Sequence, residues 1–180
     1  GDKTKLSETG TVQDGKPEGT FLSYYSDGQL KEERTFKDGK KDGIYVRYYE
    51  NGQLEEKRTY KDGELNGPFE NYYENGQLEK KGTFKDGGYD GIYEYYFENG
   101  QLKIKENYKD GKNDGISERY YKNGQLEKKG TYKDDWKNGL FEEYYKNGHI
   151  YSKENYKDNI LNGIYEDYYE NGQLKEKGTY

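Results

Sequence analysis

Acid–base or nucleophilic chemistry in this chain would have to use its one histidine or its carboxylates. His149 occupies the position after a turn that glutamine takes in the other full repeats of a periodic sequence. No cysteine is present, and no Ser and Asp accompany His149 in an arrangement for nucleophilic catalysis. The 36 Asp and Glu residues recur evenly, whereas an active site would interrupt the pattern. The sequence therefore predicts a protein that is not an enzyme and needs no cofactor.

Aspartates in glycine-containing turns are the candidate metal ligands. The closest approach to a calcium loop, with Asp oxygens around a glycine, is made by Asp38, Asp42, Asp86 and Asp90. Their spacing does not match an EF-hand, and Asp in a turn usually accepts a hydrogen bond from its own backbone. The glycines have no helix behind them that would bind phosphate. The sequence therefore predicts no metal site.

Tyrosine is the residue type best suited to binding, because its ring is apolar and its hydroxyl can form hydrogen bonds. One tyrosine recurs without exception every 24 residues. This tyrosine column consists of Tyr24, Tyr48, Tyr72, Tyr96, Tyr120, Tyr144 and Tyr168. Strand alternation places it on the opposite face from the aromatic residue that follows each member, such as Tyr49 or Phe97. Both rows can serve to pack a thin sheet, and the alternative is that the tyrosine column is partly exposed and binds a partner.

Three further residues break the repeat and are candidates for partner-specific contacts. Tyr89 and Trp136 lie in the variable connections between repeats, and His149 replaces the glutamine that follows the turn. Connecting segments vary more readily than strands and often carry binding residues. Partner specificity is therefore expected at these positions.

The element that must position all these residues is a β-hairpin copied along the chain. Asn51-Gly52 returns at 24-residue intervals as far as Asn171-Gly172, and Asp27-Gly28 is the first copy. Asn-Gly between alternating apolar residues favours a two-residue type I′ turn, since both central residues need positive φ. Strand-forming Tyr, Ile, Val, Thr and Phe flank each turn, and no helical period is sustained. The sequence predicts an all-β fold of tandem antiparallel hairpins, forming an elongated, twisted, solenoid-like single sheet.

The period divides the chain at regular positions. Residues 1–18 form a degenerate half-repeat in which Lys5-Leu6 replaces Gln-Leu. The seven hairpin repeats of one repeat domain are 19–42, 43–66, 67–90, 91–114, 115–138, 139–162 and 163–180. The chain lacks an initial Met and ends on a strand, so we expect a processed chain or a segment of a longer array. Open strand edges of such an array can pair between molecules.

A two-residue turn also fixes which residues face each other. In repeat 43–66 it pairs Tyr49 with Leu54 and Val46 with Lys57. The same register pairs Glu with Lys across five hairpins, which is a stabilising cross-strand arrangement. These pairs are Glu70 with Lys81, Glu94 with Lys105, Glu118 with Lys129, Glu142 with Lys153 and Glu166 with Lys177.

The register places aromatic rings opposite glycines, as with Phe69 opposite Gly82, where a ring fills the space that glycine leaves. The buried face is then expected to carry the third and seventh residues of the first strand together with the leucine and last aromatic of the second. In repeat 43–66 these are Tyr45, Tyr49, Leu54 and Tyr60. A three-residue loop with a G1 bulge is the alternative turn, and it would shift the facing pairs.

Composition and charge exclude several partner classes. Leu, Ile, Val and Phe total only 26 of 180 residues, but 24 regularly spaced tyrosines supply the apolar area that a thin sheet needs. The net charge is −6, with 30 basic and 36 acidic residues interspersed. This balance argues against nucleic acid and against anionic membrane surfaces as partners. No apolar run approaches the roughly 18 residues that a membrane-spanning helix needs.

The segment from Tyr168 to Tyr180, Tyr-Tyr-Glu-Asn-Gly-Gln-Leu-Lys-Glu-Lys-Gly-Thr-Tyr, resembles the variant MORN repeat. The resemblance extends from about Thr4 to Tyr180, and bacterial proteins with this repeat are described as YwqK-like antitoxin components. It implies stacked antiparallel hairpins, a scaffold or protein-binding role and, by that description, an antitoxin role. The chain departs from the pattern at Ser117, at His149-Ile150, and where Asp134-Asp135 and Asp158-Asn159 replace Asp-Gly.

These observations predict a non-enzymatic scaffold that binds another protein, of which an antitoxin is a special case. The alternative is carbohydrate binding through the tyrosine ladders, although sugar-binding repeats usually use Trp and this chain has one. Membrane-lipid association is a third hypothesis, which the acidic balance disfavours. The sequence leaves open whether this bacterial-type protein is secreted, displayed at the cell surface or cytoplasmic.

Overall fold

The computed structural model describes residues 8–180, which form nineteen β-strands and no helix. The Lys5-Leu6 part of the predicted half-repeat lies outside the described residues. Contacts divide the chain into two units, Gly1–Gly88 and Tyr89–Tyr180, and the strands of each unit pair with antiparallel neighbours. The predicted all-β class and its tandem antiparallel hairpins are confirmed.

In the first unit each hairpin pairs with the next in chain order. Its strands are β1 (Glu8–Gln13), β2 (Lys16–Tyr24), β3 (Leu30–Lys37), β4 (Lys40–Tyr48), β5 (Leu54–Lys61), β6 (Glu64–Leu65), β7 (Gly67–Tyr72) and β8 (Leu78–Lys85). The short strand β9 (Gly88–Tyr89) contains the division between the units.

The second unit repeats this order of pairing. Its strands are β10 (Gly91–Tyr96), β11 (Leu102–Lys109), β12 (Lys112–Tyr120), β13 (Leu126–Lys133), β14 (Trp136–Lys137), β15 (Gly139–Tyr144), β16 (Ile150–Lys157), β17 (Ile160–Leu161), β18 (Ile164–Tyr168) and β19 (Leu174–Thr179).

The Asn-Gly turns are three-residue loops, so the two-residue type I′ prediction is wrong and its alternative is right. The Gly52 N–H donates to the Tyr49 carbonyl at 2.9 Å, and the Tyr49 N–H donates to the Gln53 carbonyl at 2.8 Å. Gly52 has a φ of 82°, whereas Asn51 is not among the residues with positive φ. A type I turn followed by one left-handed glycine satisfies these bonds. Asn51 instead uses its side-chain oxygen, which accepts the Gln53 N–H at 2.9 Å.

A β-bulge beside each loop then restores the predicted register. Near the loop of repeat 43–66, Tyr48 pairs with Leu54, but Arg47 pairs with Glu56, so Glu55 is the extra residue. Beyond the bulge Val46 pairs with Lys57 as predicted. The five Glu–Lys pairs and the ring-opposite-glycine pairs are likewise confirmed. The predicted pairing of Tyr49 with Leu54 is wrong, because the bulge aligns Leu54 with Tyr48 and its face.

The type I′ pattern occurs at the other end of each hairpin, in the connections. Asp62 and Gly63 both have positive φ, at 53° and 95°, and Lys61 pairs directly with Glu64 across them. Two left-handed residues in a two-residue loop match the right-handed twist of the flanking strands. Each connection described between hairpins is therefore itself a tight turn.

Candidate functional site

A row of aromatic ring pairs forms the core on one face of each unit. The third residue of every full repeat except 115–138 supplies the inner ring, and Tyr45, Phe69 and Phe141 are only 8%, 2% and 3% exposed. The ring of the paired second strand packs against it, as where Tyr60 lies 6.1 Å from Tyr45 between centroids. The side chain four positions before the inner ring covers the ring pair in several repeats. For example, the Lys41 ammonium lies 4.9 Å from both the Tyr45 and the Tyr60 ring.

Tyr89, a predicted partner-contacting residue, occupies this covering position in repeat 91–114. Its ring lies 5.4 Å from that of Tyr93 and 5.2 Å from that of Tyr108, and Tyr89 is half-buried. Lys137 covers the rings of Phe141 and Tyr156 in the same way, at 5.1 and 4.3 Å. The structure therefore places Tyr89 in core packing.

The tyrosine column is half-buried, and the hydroxyls of five members donate to a glutamate in the same strand. The Tyr72 hydroxyl donates to the Glu70 carboxylate at 2.9 Å. The same hydrogen bond, to the glutamate two residues earlier, is formed by Tyr96, Tyr120, Tyr144 and Tyr168. Burial is the larger cause, and the hydrogen bond to the carboxylate the second, that raises the pKa of Tyr72, Tyr120 and Tyr144 to about 12. The same carboxylates reach the predicted lysines, as where the Glu118 carboxylate lies 3.5 Å from Lys129. These hydroxyls are therefore engaged within the protein.

Trp136 and His149 lie apart, at opposite ends of the hairpin of repeat 139–162. Trp136 follows the Asp134-Asp135 turn and is 52% exposed. The His149 ring nitrogen Nδ1 lies 2.8 Å from the Glu170 carbonyl of the next hairpin, so it donates a hydrogen bond there. His149 thus links two turns, while Trp136 is a free surface ring. The structure does not bring the predicted candidates together into one site.

Tyrosines of a second row tie four of the hairpins to their successors. The hydroxyl of Tyr121 donates to the Tyr144 carbonyl at 2.7 Å, and that of Tyr145 donates to the Tyr168 carbonyl at 2.9 Å. Tyr25 and Tyr49 form the same link in the first unit. Phe97 occupies this position in repeat 91–114 and has no hydroxyl, so this copy cannot form the link.

Ser117 interrupts the row of inner rings in the following repeat. A cavity of about 140 Å³ lies where a ring would be, bordered by Ser117, Tyr132 and Phe141. The Ser117 hydroxyl donates to Glu106 at 3.4 Å, while the Phe141 ring covers Gly130 so closely that a Cβ there would lie 2.2 Å from it. The core thus stays closed at Gly130 and opens at Ser117.

A recess adjoins both departures from the repeat, entirely within the second unit. Phe97 lines it, and Ser117 lines the small cavity that shares Arg119 and Lys128 with it. It consists of two adjoining cavities of about 610 and 420 Å³ that share Arg119, Tyr121 and Glu127. We call it the Arg119 recess. Its aromatic walls are Phe97, Tyr120, Tyr121, Tyr144, Tyr145 and Tyr151.

The Arg119 recess is basic although the chain as a whole is acidic. Five basic side chains line it against the two carboxylates of Glu127 and Glu143. The basic residues are Lys103, Arg119, Lys122, Lys128 and Lys146. One of them is neutralised, because Lys128 Nζ lies 2.5 Å from Glu143. Sequence reasoning missed this site, and the signals for it were the loss of an aromatic at Ser117 and of a hydroxyl at Phe97.

The turn aspartates bind backbone groups and neighbouring hairpins. Asp42 accepts the Asp62 N–H at 3.2 Å, and Asp86 accepts the Asn66 side-chain amide at 3.5 Å. Within residues 8–180, no three His, Asp or Glu side chains are grouped so that they could hold a metal ion. Over the same residues, no helix is long and apolar enough to cross a membrane.

A family model described as the MORN repeat variant matches seven segments that cover most of the chain. The segments are residues 17–38, 41–62, 65–86, 89–110, 113–134, 137–158 and 161–180. The match confirms the predicted resemblance to this repeat, and it carries no information on an antitoxin role. Among curated proteins, none matches this chain.

Proposed function

Because the chain belongs to the MORN repeat variant family, and MORN repeats generally form non-catalytic scaffolds, we propose that this protein is a non-enzymatic scaffold that binds another protein. MORN repeat proteins commonly mediate protein interactions. An antitoxin role would be one case of this function, with a toxin as the bound protein.

The observation that carries the proposal is the Arg119 recess. Protein interfaces are enriched in Tyr, Phe and Arg, and their strongest contacts are formed where such side chains line a concave surface. The recess combines six aromatic walls with Arg119 at the junction of its two cavities. It also includes Phe97, a departure from the tyrosine of the other repeats, and at such positions a binding surface can differ without loss of the fold.

Carbohydrate binding through the tyrosine column is the second candidate. Sugars stack on exposed aromatic faces, whereas the column is half-buried and its hydroxyls at Tyr72, Tyr96 and Tyr120 already bond glutamates. This arrangement favours packing over sugar recognition. Membrane-lipid association is disfavoured by the net charge of −6.

The test is affinity purification with the intact protein as bait, followed by mass spectrometry. A second bait carries Lys103→Gln and Arg119→Gln, and a third carries Arg47→Gln, which changes the equivalent arginine of repeat 43–66. We expect one protein to be enriched by the first and third baits and lost from the second. A glycan array and liposome flotation complete the test. Binding to a glycan or to liposomes, with no protein enriched on any bait, would overturn the proposal.

A further inference from the structure

We propose that the Arg119 recess binds a short acidic segment of the partner protein, with its carboxylates at the cations and its apolar side chains on the aromatic walls. This inference rests on the proposed function and names the chemistry of the partner. It goes beyond the repeat family, because it depends on residues that repeat 91–114 and repeat 115–138 do not share with the other repeats.

Two departures from the repeat lie around Arg119 in the second unit, one in the recess and one in the small cavity beside it. Phe97 lacks the hydroxyl with which Tyr121 and Tyr145 hold the next hairpin. Ser117 lacks the ring that Phe141 supplies at the same position of the next repeat. Phe97 lines the larger cavity of the recess, Ser117 lines the separate cavity of about 140 Å³, and Arg119 borders both.

The charge of Arg119 is available to a ligand, whereas that of its counterpart is not. In repeat 43–66, Arg47 Nε lies 2.8 Å from the Glu55 carboxylate. The residues at the same positions here are Arg119 and Glu127, which both line the recess. Among residues 8–180, Arg119 forms no ion pair with Glu127 or with any other carboxylate. A guanidinium without an ion-pair partner in its own chain can bind a carboxylate of a ligand through two parallel hydrogen bonds.

Two lysines beside the aromatic rings add to the preference of the recess for carboxylates. Lys103 Nζ lies 4.7 Å from the Tyr95 ring centroid and 5.4 Å from that of Phe97. Lys146 Nζ lies 6.0 Å from the Tyr121 ring centroid. These contacts hold the lysine ammonium groups beside aromatic rings. A peptide segment can therefore place its carboxylates at the lysines and its apolar side chains on the rings.

The size and surroundings of the recess favour a short peptide over a long polyanion. Two adjoining cavities of about 610 and 420 Å³ can hold several side chains of an extended segment. Glu127 and Glu143 line the same recess, and the whole chain carries a net charge of −6. A nucleic acid or an anionic membrane would also meet the acidic surface outside the recess, whereas a short segment meets only the recess, where five basic side chains outnumber two carboxylates.

The experiment measures binding of a fluorescein-labelled peptide of alternating Asp and Leu to the full-length protein by fluorescence anisotropy. A peptide with Asn in place of Asp is the neutral probe, and one with Ser in place of Leu retains only the charge. We expect the Asp-Leu peptide to bind more tightly than both. Arg119→Gln should weaken its binding about tenfold, the effect of losing one charge-assisted pair. Lys103→Gln should also weaken it, and Arg47→Gln should leave it unchanged.

Two controls keep the result interpretable. Circular dichroism and the melting temperature of each variant establish that it is folded. Phosphatidylserine vesicles and heparin, titrated in parallel, represent a membrane and an extended polyanion.

The inference is overturned if the Asp-Leu and Asn-Leu peptides bind equally, if neither binds, or if Arg119→Gln and Lys103→Gln have no effect. It is also overturned if vesicles or heparin bind more tightly than the peptide and lose binding in the same variants. If the peptide fails while affinity purification still yields a protein partner, the scaffold function stands and only the acidic partner is wrong. If both experiments fail, the proposed function fails with it.

Discussion

At the scale of single residues, neighbours along a strand differ sharply in their structural role. Leu140 and Phe141 are adjacent in β15, yet Leu140 is 45% exposed and Phe141 is 3% exposed. Strand alternation sends them to opposite faces, and only one face has the ring pairs of the core. The same alternation leaves Ile44, Ile92 and Ile164 about half exposed at the position before an inner ring, and Ile116 likewise before Ser117.

Phe141→Ala should therefore be far more destabilising than Leu140→Ala. Phe141 packs at 5.4 Å from Tyr132 and 5.2 Å from Tyr156 between ring centroids, and Lys137 covers it. Removing such a ring costs about 3–5 kcal/mol of unfolding free energy. Leu140→Ala should cost about 1 kcal/mol or less. Urea denaturation of both variants measures the difference, and equal losses would contradict the assignment of the core to the Phe141 face.

At the scale of the structural element, the connections show how a hairpin tolerates a residue that its turn disfavours. Asp135 and Asn159 occupy the second loop position with φ of 71° and 67°, where most other copies have glycine. Each side chain gains a hydrogen bond to the preceding hairpin that glycine cannot form. Asp135 Oδ1 accepts the Asn113 N–H at 2.7 Å, and Asn159 Oδ1 accepts the Lys137 N–H at 2.6 Å.

Asp135→Ala and Asp135→Gly separate the two contributions. Alanine keeps the left-handed strain and loses the hydrogen bond, so we expect a loss of about 1–2 kcal/mol of unfolding free energy. Glycine also loses the bond but relieves the strain, so its change should stay within about 1 kcal/mol. Chemical denaturation of the two variants beside the unmodified protein gives both values. An alanine variant as stable as the glycine variant would show that the backbone conformation costs nothing here.

At the scale of the whole molecule, the tyrosine column links stability to alkaline pH. The pKa of Tyr72, Tyr120 and Tyr144 is raised to about 12 in the folded protein, from 10.0, by burial and then by the bond to the neighbouring glutamate. Between these values the folded state retains protons that the unfolded chain releases. The resulting stabilisation is complete below pH 10 and is lost as the pH rises towards 12.

We therefore expect the melting temperature to fall between pH 10 and pH 12, in step with phenolate absorbance. The hydrogen bond to Asp114 raises the pKa of Lys133, and this ion pair is also lost at strongly alkaline pH, so a variant must isolate the tyrosines. The triple variant Tyr72→Phe, Tyr120→Phe and Tyr144→Phe should lose less stability across this range than the unmodified protein. Parallel curves for the two proteins would show that these three phenols do not contribute.

Self-association through strand edges stays a prediction at this scale. The last strand, β19, is exposed over most of its length, with Leu174 52% exposed and Tyr180, just beyond it, 63% exposed. Exposed edges offer unpaired backbone groups to another chain. Light scattering over a range of concentrations should therefore show a mass that rises with concentration, and a constant monomer mass would exclude edge pairing.

The sequence alone determined the hairpin repeat, its register beyond the turns and the face of the inner rings, because these follow from local turn chemistry and the two-residue alternation of strands. Glu118 faces Lys129 and Phe69 faces Gly82 for that reason. Only the tertiary structure decided the type of each turn, since a bulge at Glu55 compensates the longer loop and leaves the same distant pairs. Only it revealed the Arg119 recess, because side chains from several neighbouring hairpins line that site together. A missing ring or hydroxyl creates space only when the surrounding side chains are in place, and no single repeat contains them all.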